Sequence, residues 1–151
     1  MGDLTAEIED AIATLGVITS KVEVTQAFEI RKKLAQKFSD IPKNSQSVCW
    51  QNLINHSGIH NSDGWRLLEN YVQNEEVLLF INPEEDEIMW KFKSGKGLVA
   101  VLGECYGFPF CITSQEADYI LCFDDHDCLI GSGKVKNWLK SLNKMLNQEK
   151  H

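Results

Sequence analysis

Apolar residues near the start of the chain recur every three or four positions. Leu4, Ile8, Ala11, Ile12 and Leu15 share one stripe, with Glu7, Glu9 and Asp10 off it and Gly16 just beyond. This spacing predicts a helix over 3–15 that the glycine stops. Ala27, Ile30, Leu34 and Phe38 make a second stripe and predict a helix over 24–38. Ser39-Asp40-Ile41-Pro42 ends it, because proline disfavours helix in the residue before it. Arg31, Lys32, Lys33 and Lys37 ride on this helix and read as a solvated basic face. Residues 48–54 fit either a strand or one to two helical turns, and His56–Gly64 reads as a turn-rich link. Trp65, Leu68, Tyr71 and Val72 then predict a short helix with Ser62 or Asp63 as its cap.

The pattern changes after residue 76. Val77-Leu-Leu-Phe-Ile81 is a continuous apolar run, as expected of a strand covered on both faces. Ile88, Trp90 and Phe92 alternate with Met89, Lys91 and Lys93, which is strand period. Ser94-Gly-Lys-Gly97 opens a short helix to about Cys105. Phe108–Thr113 is the next strand, and Pro109 places it at a sheet edge or at a strand start. Asp118–Gly133 reads as a hairpin, a buried strand and a returning strand about an acidic turn at 124–127. Val135, Trp138, Leu139, Leu142, Met145 and Leu146 form the stripe of a closing helix, with Lys136, Lys140 and Lys144 on another side. Helices, then mostly antiparallel strands, then a helix predict a two-layer α+β fold. The antiparallel sheet would pack against the N-terminal helices and the C-terminal amphipathic helix.

Length adds that 151 residues suit one domain, 1–151. The first ten residues are acidic and lack the basic-then-apolar order of a signal peptide. No run approaches the roughly 20 apolar residues of a membrane helix. A cytoplasmic protein is expected. In that setting the five cysteines, an odd number, are expected to be free thiols.

Charge changes the picture more. Residues 61–130 carry 14 acids and 4 bases, net −10, while residues 131–151 carry 1 acid and 5 bases, net +4. So acidic a block repels nucleic acid and anionic membrane and attracts basic partners.

The sharpest local feature is the turn Asp124-Asp125-His126-Asp127 at the hairpin tip. Three carboxylates and an imidazole fit a polar turn, a partner contact, a metal site or an acid/base site. A two-residue loop of Asp125-His126 would face Asp124 with Asp127, and a three-residue loop of Asp124-Asp125-His126 would face Cys122 with Cys128. His56 and His60 have the i, i+4 spacing of zinc helices, but Gly58 and Ser57 depart from the His-Glu-x-x-His motif. Ile130-Gly-Ser-Gly-Lys134 lacks the first glycine and the Ser/Thr of a phosphate loop. Its glycines therefore shape a strand-to-helix turn, with Ser132 helping to cap it. The tryptophans read as core anchors.

Tyr119-Ile-Leu-Cys-Phe123, Asp125-His126-Asp127, Gly131 and Gly133 carry a resemblance, together with Leu102-x-Glu104, Phe108-x-Phe110 and Ile112-Thr113. Over residues 75–133 they resemble an uncharacterised family of small bacterial proteins, similar in style to SUKH-type immunity proteins. In that pattern the turn reads Asn-His-His-Asp. Asp124 and Asp125 take the first two places here and leave only His126. The resemblance implies a small α+β binding domain and supplies no reaction.

The expected function is a non-enzymatic, protein-binding module of the immunity or antitoxin kind. Glu84, Glu85, Asp86 and Glu87 in one loop, and Asp124, Asp125, His126 and Asp127 in another, would present an acidic surface to a basic protein. No catalytic residue, cofactor or metal is assigned. The alternatives are a metal-dependent hydrolase built on the Asp124–Asp127 turn, or a structural or regulatory domain whose Lys136/Lys140/Lys144 stripe meets an acidic partner.

Overall fold

The computed structural model describes residues 4–42, 48–82, 86–105 and 107–149. The two N-terminal stripes form α1 (Leu4–Leu15) and α2 (Val24–Phe38), with β1 (Thr19–Lys21) between them. β2 (Ser57–His60) follows, then α3 (Leu68–Val72), β3 (Val77–Phe80) and β4 (Met89–Phe92). α4 (Gly95–Glu104), β5 (Phe110–Thr113), β6 (Tyr119–Phe123), β7 (Cys128–Gly133) and α5 (Lys136–Glu149) complete the order. Short 3-10 turns occupy Trp50–Asn52 and Gly64–Leu67.

The strands make one antiparallel sheet in the order β1-β4-β3-β5-β6-β7-β2. Side chains alternate between its faces. Leu79, Trp90, Ile112, Leu121 and Leu129 enter the larger core with Ile8, Leu68, Leu98 and Leu139 from the helices. Leu78, Phe80, Met89, Ile120 and Cys122 face the other way, against Ala27, Ile30 and Leu34 of α2. The expected α+β arrangement of helical layer and antiparallel sheet is therefore present, and α2 adds cover on the second face. Burial on both faces explains the uninterrupted apolar run of β3, whose four residues are all buried.

Several local expectations are corrected, and others that stood open are decided. His56–Gly64 is not only a link, because Ser57–His60 pairs with β7 and makes the last strand of the sheet. Residues 48–54 hold a 3-10 turn, and Leu53 bridges to Ser39. Asp63 does stand at the start of the 3-10 turn before α3, but its side chain makes no capping bond. β5 lies between β3 and β6 and begins at Phe110, so Pro109 marks a strand start. Ser132 is no helix cap; its hydroxyl donates to the Ile54 carbonyl at 2.8 Å.

Arg31 is not part of a solvated basic face. It is 1% exposed. Its guanidinium donates to the carbonyls of Glu87 and Ile88 and lies over the Phe80 ring, 5.6 Å from the centroid. It thereby ties α2 to the chain leading into β4.

The cysteines are free thiols, as expected. Cys122 does not face Cys128. Its cross-strand partner is Cys111 of β5, with the two sulfurs 2.8 Å apart at the buried centre of the sheet.

Candidate functional site

The hairpin tip is built by its own first residue. Asp124 is 8% exposed, and its Oδ1 accepts from the backbone N–H of His126 at 2.8 Å and of Cys128 at 2.9 Å. Asp127 takes a left-handed φ of 61°. A carboxylate cap and one left-handed residue define a three-residue loop, Asp125-His126-Asp127. Asp124 therefore stands opposite Cys128, and neither expected register forms. Asp125, His126 and Asp127 are exposed, and His126 Nε2 lies 3.7 Å from Asp125 Oδ1. An exposed pair of this kind contributes little.

Since Asp124 is spent on two amides, Asp124→Ala is expected to cost about 2 kcal/mol, while Asp124→Asn, which keeps an acceptor, costs under about 1 kcal/mol. Urea denaturation of both variants measures the difference.

The β3–β4 loop leaves the sheet at the same rim as this turn, because Phe80 pairs with Cys111 and Phe110 with Phe123. Three strand spacings separate the two hairpins, about 14 Å. Glu84 and Glu85 lie outside the described residues. Asp86 turns inward, accepting from Thr5 Oγ1 at 2.6 Å and from the Ile88 N–H at 3.1 Å. Glu87 is exposed. The rim thus presents Glu87, Asp125 and Asp127, whereas Asp86 and Asp124 hold the loops together.

Metal chemistry gains no donor set. Among the described residues, no three His, Cys, Asp or Glu side chains converge as ligands for a metal ion. His60 lies in β2 and His56 just before it, so the helical spacing does not apply. Four extended residues span about 13 Å.

A concavity at the opposite rim escaped the sequence reading. It is a cavity of about 630 Å³ lined by Glu75, Glu76, Glu116, Asp118, Tyr71 and Tyr119, with Lys134 the single basic side chain. Three segments far apart in sequence build it. α3 ends at Val72, Gln73 takes a left-handed φ of 55°, and the Glu75 N–H returns to the Val72 carbonyl at 3.2 Å. This places Glu75 and Glu76 just before β3. The β5–β6 turn closes with the Ala117 N–H on the Ser114 carbonyl at 3.1 Å, and the Ser114 hydroxyl donates to Asp118 Oδ1. The end of β7 then docks on this turn, with the Lys134 N–H on the Asp118 carbonyl at 3.1 Å and Lys134 Nζ 3.6 Å from Asp118 Oδ2.

The cavity wall is aromatic. Tyr71 meets Tyr119 edge to face with centroids 5.3 Å apart, and Trp138 lies 5.0 Å from Tyr71. Burial, then the negative charge of Asp118 and Glu75, pushes the Tyr71 hydroxyl up to about 12. Burial pushes Tyr119 higher still, helped by Tyr71, Asp118 and Glu75. Raised folded values mean that both phenols stabilise the fold fully below their unfolded value of about 10. For Tyr71 that contribution is lost as the pH rises from about 10 through 12, and for Tyr119 the loss continues above that window. Denaturation midpoints are therefore expected to fall steeply over that window, and less so in Tyr119→Phe, with tyrosinate absorbance reporting the ionisation.

The one sequence signal for this site was the charge count over 61–130. It located the acidity in the chain, but only the register of β3, β5, β6 and β7 gathers Glu75, Glu76, Glu116 and Asp118 at one rim.

A family model described as "Family of unknown function (DUF6756)" matches residues 2–143. No curated protein and no solved structure matches.

Proposed function

The chain belongs to the DUF6756 family, and since that family has no assigned function we propose a reading from the surface itself: this is a non-enzymatic binding module that captures a basic protein. The observation that supports it is the cavity at the Tyr71–Tyr119 rim, where four carboxylates stand against one lysine. A concave, predominantly negative site with low-dielectric aromatic walls focuses the field on an approaching cation and speeds encounter. The exposed Glu87, Asp125 and Asp127 at the other rim add a second acidic patch around His126. A bacterial immunity role fits this surface. A nuclease toxin must be basic to hold phosphates, and an acidic inhibitor would be steered to it. No helix of the described residues is long and apolar enough to cross a membrane.

A photo-crosslinking residue placed at the exposed Asn74, beside the cavity, tests this in the native host. The expected adduct is a protein of net positive charge. Its yield should fall at least about tenfold, or about 1.4 kcal/mol, when Glu75, Glu76 and Glu116 are replaced together by lysine. Unchanged yield in that variant, or adducts dominated by acidic proteins, would sink the reading.

A further inference from the structure

The centre of the sheet holds two cysteines that the binding reading does not use. Cys111 of β5 and Cys122 of β6 are direct cross-strand partners. In an antiparallel ladder, opposed residues alternate between pairs that exchange two backbone bonds and pairs that exchange none. Side chains come closest in the second kind, where the Cα atoms stand about 4.5 Å apart. The bonds between β6 and β7 tell which kind this is. The Asp124 N–H bonds the Cys128 carbonyl, and the Lys134 N–H bonds the Asp118 carbonyl. Even-numbered residues along β6 therefore turn their backbone groups toward β7, where Cys122 stands opposite Ile130. The groups turned toward β5 belong to Leu121 and Phe123, opposite Ile112 and Phe110. Cys111 and Cys122 are thus a pair without backbone bonds, buried in the core layer under α2 with their sulfurs 2.8 Å apart.

We infer that Cys111 and Cys122 are a redox site that closes into a cross-strand disulfide. Such a bond needs Cα atoms about 4.4–6.8 Å apart and sulfurs at about 2.05 Å. The ladder meets the first condition, and a small inward turn of the two side chains meets the second. The surroundings accept both forms, because Leu78, Phe80, Met89 and Ile120 on that face are apolar and a dithiol and a disulfide are both neutral. The oxidant is a small-molecule disulfide such as glutathione disulfide. One cysteine attacks it as thiolate and releases one glutathione, and the second cysteine displaces the other glutathione from the mixed disulfide. Two cysteine thiols thereby lose two electrons and two protons, and two glutathione thiols gain them. Since the folded sheet buries both sulfurs, the exchange takes place while the chain folds, and the finished sheet then shields the bond from thiols.

The test is to refold reduced chain from urea into buffers of set reduced-to-oxidised glutathione ratio, quench with acid and weigh the product. The unsubstituted chain is expected to lose two hydrogens. So is a variant carrying Cys49→Ala, Cys105→Ser and Cys128→Ser, in which only the proposed pair remains. Half-reduction of the bond should need at least about tenfold more reduced glutathione for the folded chain than for the chain kept in urea. By linkage, the bond should raise the folding constant by that same factor, read from urea curves of the oxidised and reduced chains. Cys111→Ala and Cys122→Ala should each abolish the bridge at the ratio that forms it in the unsubstituted chain. An unbridged three-site variant, equal half-reduction in and out of urea, or a bridged chain with a lowered folding constant would each overturn the inference. So would a bridge that persists in Cys111→Ala.

Discussion

Gly133→Ala is expected to destabilise the fold by about 4 kcal/mol. The backbone there has φ of +83°, a region that costs an L side chain about 1–2 kcal/mol. The new methyl would also lie 2.7 Å from the Asp118 carbonyl oxygen and 2.8 Å from the Phe38 ring. The first neighbour is backbone just before β6, which cannot turn aside, and the second is the ring tip of the half-buried Phe38 at the end of α2. Overpacking of this kind adds about 1–3 kcal/mol. Because the Lys134 N–H bonds that same carbonyl, the strain falls on the cavity rim. A loss below about 1 kcal/mol in urea denaturation would show that the β7 end can shift without harm.

The second large effect is expected at Arg31. Arg31→Ala should cost about 3 kcal/mol. It removes the buried stem and the guanidinium that lies over Phe80, and strips the Glu87 and Ile88 carbonyls of a donor. Burial holds this guanidinium below its ordinary value, opposed by Glu87 and Asp86. Its charge is thus retained against desolvation, and its Nε has no partner. Arg31→Met, which keeps the stem and drops the charge, is expected to cost only about 1 kcal/mol, since a buried charge and an apolar replacement often come out close. Matched denaturation curves separate packing from charge. Equal losses for both variants would place the whole effect on the hydrogen bonds.

These two residues also mark where sequence reading stops. The stripes of α1, α2 and α5 and the run of β3 were legible because each element's own spacing encodes the side it buries. Arg31 sits on such a stripe's flank among Lys32, Lys33 and Lys37. What sets it apart is a pair of carbonyls more than fifty residues away, which local spacing does not encode. β2 was missed because a four-residue edge strand, Ser57-Gly-Ile-His60, has one buried side chain and so no alternation to read. The hairpin was legible, its register was not. Asp124 as cap and Asp127 with positive φ decide it, and both choices depend on hydrogen bonds that composition leaves open. The acidic rims divide in the same way. The loop at 124–127 announces itself by local density, whereas the cavity draws Glu75, Glu76, Glu116 and Asp118 from two segments about forty residues apart. The unpartnered Tyr71 hydroxyl and Gln115 Oε1 carry no mark in the sequence at all.

The facing sulfurs of Cys111 and Cys122 give the molecule a built-in reporter. Both are walled off by strands and helix, and burial and mutual contact raise the Cys122 thiol well above its ordinary value. An alkylating reagent needs a thiolate and a path to it, so neither sulfur reacts until β5 and β6 part. The half-life of that modification in native buffer is therefore a clock for the rarest excursion of this fold, the moment its middle comes undone.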